Sequence, residues 1–358
     1  MKWTTQKKIF SILLIMIVLM GGLNVAKARG LLIPPQAQFN VYNNVVKLST
    51  MSMEQKIAQM VVVLGLRDNY IPWRNMQLGG FYLYALPTKH VFNNTIIDFQ
   101  IDMPIEFFVS ADLEGCLSPF AHIQNFTANS DIETTGEAFE KGQAEGKFLN
   151  ELGFNLNFAP VVDLDDTIWN CRSFPGDEIQ IGELAQAYTL GLQNEGVLAT
   201  IKHYPGKTLV GKDPHKFIAS SDIEKADLIP YEHMMEKGDV EAIMVSHIIT
   251  TGEIDSEGIP SVVNKKVIDT LKKDFDGLII SDEIHMLGLK DYYDSIDDMY
   301  VAVFKAGNDI VLNFDHDPNE IHRMILVVKN AVERGEIPRK QIDASVTKIL
   351  EAKGYVVK

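Results

Sequence analysis

Cysteine is nearly absent from this 358-residue chain, with only Cys116 and Cys171 present. A chain of this size builds its core without staples, so no disulfide framework is implied. Metal-site spacing is missing as well. None of the nine histidines falls into H-x-x-H or H-E-x-x-H, the helical pairs that grip zinc. The acidic groups Asp163/Asp165/Asp166 and Asp315/Asp317 read as solvated turns and not as a calcium loop. No G-x-G-x-x-G turn and no complete phosphate-binding G-x-x-x-x-G-K-[ST] loop occurs, so a nucleotide is unsupported and no cofactor is expected. Positive charge is scarce: 33 Lys and Arg face 48 Asp and Glu, a net charge of −15. That balance argues against nucleic acid or an anionic membrane surface as partner. Internal repeats, low-complexity tracts and an interdomain linker are also lacking.

One long apolar run is present, at the N-terminus. Lys2, Lys7 and Lys8 precede Ile9–Leu19, and Ala26-Lys27-Ala28 follows. This charged, apolar, small-x-small order is that of a secretory signal peptide over residues 1–28, cleaved after Ala28. An uncleaved anchor is the alternative, because the run extends toward Leu23. No cysteine follows Gly21-Gly22, so a lipoprotein anchor is not indicated. The expected location is periplasmic or secreted, with no stable membrane association after cleavage. Loss of four lysines with that segment leaves 29 basic against 48 acidic residues, a balance of −19. Residues 29–48 read as an N-terminal arm in which Pro34-Pro35 blocks a helix. Residues 49–358 read as one catalytic domain; oligomeric state is not readable.

In that domain, short runs that are apolar on both faces alternate with amphipathic segments. Strands are expected near Val61–Leu64, Gly80–Tyr84, Ile105–Ser110, Asn155–Phe158, Ala199–His203, Ala242–Ser246, Leu278–Ser281 and Asp309–Leu312. Helices are expected over Ser52–Met60, Gly136–Leu152, Ile181–Glu195, Lys225–Lys237, Lys265–Phe275, Ser295–Ala306 and Asp343–Gly354. This alternation predicts an α/β fold, a single-domain (β/α)8 TIM-type barrel, with a doubly wound sheet as the alternative.

In a barrel the C-terminal strand ends share one face, where chemistry is built. Asp112, Asp163, Arg172, Lys202, His203, His247, Asp282 and Asn313 fall at such ends. Asp282 is the candidate nucleophile, a carboxylate held rigidly at a strand end; a helix cap is its plain structural alternative. Glu283, the next residue, is expected to face elsewhere. His215 is the candidate acid–base, with Asp213 two residues before it to orient the imidazole and stabilise its protonated form. Lys202 and His203 end a strand that otherwise reads as core, where a buried lysine needs partners. Arg172 offers a planar fork of donors and Asp112 a pair of acceptors for sugar hydroxyls.

These segments resemble glycoside hydrolase family 3, and within it the single-domain β-N-acetylglucosaminidases (β-hexosaminidases) of the NagZ type. Asn157-Phe158-Ala159-Pro160-Val161-Val162-Asp163 is similar to the family's N-F-A-P-V-x-D. Arg172-Ser173-Phe174 matches R-S-F, Lys202–Gly206 matches K-H-F-P-G, and Asp213-Pro214-His215 falls where D-S-H stands. Ser281-Asp282-Glu283-Ile284-His285-Met286 resembles S-D-D-L-x-M. The resemblance implies Asp282 as nucleophile, and His215 as acid–base assisted by Asp213. Asp112, Arg172, Lys202 and His203 would hold a terminal N-acetylglucosamine. It implies retaining exo-cleavage of peptidoglycan fragments (muropeptides) or chitooligosaccharides without a cofactor. Two other readings are a weakened saccharide-binding protein on the same scaffold and a family 3 glycosidase of different sugar specificity, such as a β-glucosidase. The chain also departs from the pattern. D-x-E-G-G-R becomes Asp112-Leu113-Glu114-Gly115-Cys116-Leu117, so the arginine is missing, and P-G-H-G becomes Pro205-Gly206-Lys207-Thr208. Cys116 and Cys171 both border the expected sugar site, where they are either bridged or two free thiols.

Overall fold

The computed structural model describes all residues except Met1, Leu117, 209–212 and 214–215. Eight parallel strands form one sheet. In chain order they are β1 (Val61–Leu64), β2 (Gly80–Tyr82), β3 (Phe108–Ala111), β4 (Leu156–Asn157), β5 (Leu198–Tyr204), β6 (Ala242–Val245), β7 (Leu278–Ser281) and β8 (Val311–Asn313). Each pairs in parallel with its sequence neighbour from β1 to β7, and β8 returns to pair with β1 through Val311↔Val61. A single parallel bridge, Ile280↔Ile310, closes the circle between β7 and the approach to β8. The expected (β/α)8 barrel is thus the fold, and all eight expected strands are present within a few residues of their expected ends.

The strands are short, β-branched and buried on both sides because helices cover the outside while side chains fill the barrel interior. Their helices carry explicit start signals. Ser52 and Gln55 form a capping box at Met53–Gln59, and Thr134 and Glu137 form another at Thr135–Leu152. The helices Thr135–Leu152 and Glu178–Asn194 approach very closely. A Cβ on Gly142 would stand 2.1 Å from the Tyr188 carbonyl oxygen, so only glycine fits there. That approach brings the buried Tyr188 hydroxyl to Glu145 Oε2 at 2.6 Å. Asn157 of β4 donates to the same hydroxyl at 3.2 Å and to the Leu113 carbonyl at 3.1 Å. Helix packing on the outside thereby reaches the loop after β3.

Three barrel helices escaped the sequence pattern: Tyr70–Met76, Lys89–Gln100 and Pro318–Glu333. Lys89–Gln100 is rich in β-branched and Asn residues, poor helix formers alone. It buries Phe92, Thr95, Ile96 and Phe99, a one-faced stripe that tertiary packing rewards.

The arm after residue 28 is packed on the barrel. Ile33 and Phe39 are buried, and Gln55 Nε2 donates to the Ala37 carbonyl at 2.6 Å. Val41–Tyr42 and Val45–Val46 form a hairpin, and Val356–Val357 adds to it in parallel. The N-terminal helix, Lys2–Ala28, contains Ile9–Ala28, a 20-residue span long and apolar enough to cross a membrane and buried nowhere in the protein.

Candidate active site

The C-terminal ends of the strands open into a cavity of about 610 Å³, well inside the usual size for a site that encloses a small ligand. Charged residues crowd one part of its lining. Asp112 stands one residue beyond β3 and Glu114 two further on. Lys202, in β5 and almost wholly buried, places Nζ 2.6 Å from Asp112 Oδ1 and 2.6 Å from Glu114 Oε2. Arg172 Nη2 reaches Glu114 Oε2 at 2.9 Å. Burial by itself would push the Glu114 carboxyl up, but Lys202 and Arg172 hold it down at about 2. The same two carboxylates keep the Lys202 ammonium above its ordinary value despite burial. A buried charge survives only with such partners.

His203 follows directly. The register between β5 and β6 shifts between Ile201 and Tyr204; such a bulge interrupts strict alternation. Lys202 and His203 both line the cavity. His203 Nδ1 lies 3.1 Å from Asp163 Oδ2, and Arg172 Nη2 lies 3.4 Å from Nε2. Arg172 has only donors, so this network assigns the proton of a neutral ring to Nδ1, donating to Asp163. Thr208 also donates to Asp163 Oδ2, at 2.6 Å. Asp163 is 1% exposed, so the solvated turn expected for it is wrong. Its carboxylate orients the buried imidazole. Asp166 is also structural, accepting from the backbone N–H of Trp169, Cys171 and Arg172 at 2.8, 3.0 and 2.8 Å.

Asp282 follows β7 and lines the cavity. Its N–H donates to Val245 of β6 at 3.1 Å, and that of Ile284 to Leu312 of β8 at 3.0 Å, so the turn is tied to both neighbouring strands. Oδ1 of Asp282 accepts from the Glu283 N–H at 2.8 Å. Glu283 does not face elsewhere: it lines the same cavity. The strand ends at Ser281, so alternation no longer governs the turn. Glu283 Oε1 is drawn inward by the N–H groups of Phe314 and His285, each at 3.0 Å. His247 Nε2 donates to the Glu283 carbonyl at 2.7 Å. His247 therefore braces this turn. Asn313 is buried, with Nδ2 3.2 Å from Met324 Sδ.

Burial is the main reason the Glu283 carboxyl is pushed up to about 7, with the nearby Asp282 and Asp315 carboxylates adding to it. A raised carboxyl keeps a proton in the folded state that the unfolded chain releases near its ordinary value. Stability is then greatest below the unfolded value of 4.5 and falls as pH rises toward 7. The span corresponds to roughly 3 kcal/mol. Glu283→Gln flattens that fall; urea titrations at the two ends of the window measure it, and an unchanged slope would refute the assignment.

Of the expected site residues, Asp112, Arg172, Lys202, His203 and Asp282 all line one cavity. Among the described residues Asp213 is not part of that lining; Lys216 Nζ lies 3.3 Å from its Oδ2. His215, together with Pro214, lies outside the described residues, as does Leu117. Sequence reasoning missed Glu114 as the carboxylate shared by Lys202 and Arg172. Its signal was present in D-x-E-G, where it alternates with Asp112 along one side of an extended chain.

Cys116 and Cys171 are joined, with Cα atoms 5.5 Å apart, the spacing a bridge requires. The bond ties the loop of Asp112 and Glu114 to the residue before Arg172. Gly115, between Glu114 and Cys116, has φ +54° and would put a Cβ 2.3 Å from the Cys171 carbonyl oxygen, so the two loops touch along their backbones. The bridge spans 55 residues of chain, a closure worth about 4 kcal/mol in the chain-entropy description. Cys116→Ser with Cys171→Ser lowers stability by ~2–4 kcal/mol and raises KM. Equal thermal midpoints for the variant and the parent would contradict this.

The Glycosyl hydrolase family 3 N terminal domain model matches residues 52–352. Beta-hexosaminidase LpqI of Mycobacterium bovis is 28% identical over 330 residues, covering 85% of this chain and 83% of that protein. The Beta-N-acetylglucosaminidase/beta-glucosidase of Cellulomonas fimi is 25% identical over 337 residues, 86% of this chain and 58% of that protein. The crystal structure of a GH3 family glycosyl hydrolase from Mycobacterium smegmatis superposes with a TM-score of 0.78 at 25% identity, covering 86% of this chain and 99% of that one.

Proposed function

The chain belongs to glycosyl hydrolase family 3 and is a glycoside hydrolase, and we propose that it is a retaining exo-β-N-acetylglucosaminidase. The observation that carries this reading is the meeting of Asp282 with the Asp112, Glu114, Arg172, Lys202 and His203 cluster in one cavity. The cluster grips the hydroxyls and acetamido group of a terminal sugar. Asp282 attacks the anomeric carbon, the bond to the leaving oxygen breaks, and a glycosyl ester forms on the carboxylate. His215, oriented by Asp213, protonates the leaving oxygen. It then takes a proton from the water that hydrolyses the ester. Substrates are peptidoglycan fragments, including muropeptides, or chitooligosaccharides. Residues 1–28 act as an export signal, residues 29–48 as an arm, and residues 49–358 as the catalytic unit.

A panel of aryl glycosides on the purified protein tests the sugar. The N-acetylglucosaminide is cleaved with kcat/KM at least about tenfold above the glucoside, about 1.4 kcal/mol of barrier. The double name of the Cellulomonas relative favours a second reading, a family 3 glycosidase that takes both sugars. Comparable rates on the two substrates would establish it. Saccharide binding without any turnover would instead mark a decayed hydrolase.

A further inference from the structure

The same cavity has an aromatic part that the clamp on the terminal sugar leaves unused. Tyr82, Tyr84, Phe158 and Phe314 line it, grouped around Tyr82. Tyr82 has ring centroids 4.9 Å from Tyr84, 4.9 Å from Phe314 and 6.2 Å from Phe158. This run climbs from the floor to the surface: Phe158 and Tyr82 are buried, whereas Tyr84 is 54% exposed. Trp169 borders the same cavity and is 39% exposed. A scattered exposed aromatic needs no explanation. Here an indole and a phenol both rim an acid-bearing cavity, and the loop of Trp169 is held firmly. Asp166 Oδ1 accepts from the Trp169 backbone N–H at 2.8 Å, and the Cys116–Cys171 bridge fastens the loop two residues later. The backbone that carries the ring is thus fixed at the rim, so less ordering remains to be paid on binding.

We propose that Trp169 and Tyr84 form a subsite for a second pyranose, the sugar on the leaving-group side of the bond that is cut. The inference rests on the glycosidase reading above and deepens it by naming the residues that hold the leaving-group sugar. The charged clamp is buried and takes the terminal sugar, so the remainder of the chain must leave through the exposed rim. There the C–H face of a pyranose, slightly positive, lies against the negative face of an aromatic ring.

The test compares N,N′-diacetylchitobiose with methyl β-N-acetylglucosaminide, whose leaving group carries no ring. Trp169→Ala and Tyr84→Ala each lower kcat/KM on the disaccharide at least tenfold more than on the methyl glycoside, through KM and not kcat. Trp169→Phe restores most of that loss. Disaccharide added to Asp282→Asn changes the indole fluorescence, and the change disappears when Trp169→Phe is added. Equal losses on both substrates overturn the subsite and leave the glycosidase reading standing. An unchanged fluorescence, with wild type still cleaving the disaccharide, does the same. If wild type cleaves neither substrate, both readings fall.

Discussion

Asp282→Asn abolishes turnover. The expected loss in kcat is at least about 10³-fold, ~4 kcal/mol of barrier, with KM changed little. The amide keeps the shape of the carboxylate and can still accept the Glu283 N–H that Asp282 accepts at 2.8 Å. What it lacks is the charge that the proposed attack on the anomeric carbon requires. Intact mass measurement of a quenched reaction shows one added hexosaminyl unit on wild type and none on the variant. Glu283 lines the same cavity one residue on, which makes the comparison sharp. Turnover within tenfold of wild type in Asp282→Asn, with loss in Glu283→Gln, would move the nucleophile to Glu283.

Lys202→Met is expected to damage both stability and binding. The ammonium lies 2.6 Å from Asp112 and 2.6 Å from Glu114 with its side chain only 3% exposed. Removing one partner of a buried ionic cluster costs about 3–5 kcal/mol, because the charges left behind stay desolvated. Arg172 alone then opposes two carboxylates, and Glu114 no longer stays down at about 2. Lys202→Met combined with Glu114→Gln removes a stranded charge and regains part of the stability, measured by urea denaturation. Activity is not expected to return with it, because the proposed hydroxyl recognition needs the charged groups. A single variant as stable as the parent would show that the ammonium is not bound as described.

Much of this architecture was legible in the residues. The strand Leu278–Ser281 was readable to the residue, because three buried apolar residues and Ser281, bounded by Gly277 and Asp282, leave little choice of register. Lys202 announced itself as a charge where core was expected. The helix Lys89–Gln100 was not legible, since its own propensity opposes it and only Phe92, Ile96 and Phe99 packing beneath the barrel surface stabilises it. Pro318–Glu333 was missed although Asp317 caps it and Pro318 opens it, a start signal that was there to be read. Asp163 misled because acidic residues near turns are usually solvated, and its burial depends on His203 at the end of β5 and Thr208 just beyond it, both distant in sequence.

The amino-acid order by itself determined the barrel and the strand-end positions of its polar residues, because alternation and burial are written locally in apolar spacing. Three other matters were decided only by tertiary structure. These are the two partners that Lys202 reaches, the turning of Glu283 into the cavity beside Asp282, and the pairing of Cys116 with Cys171. Each depends on distances between loops of different strands, and those distances exist only once the sheet has closed on itself.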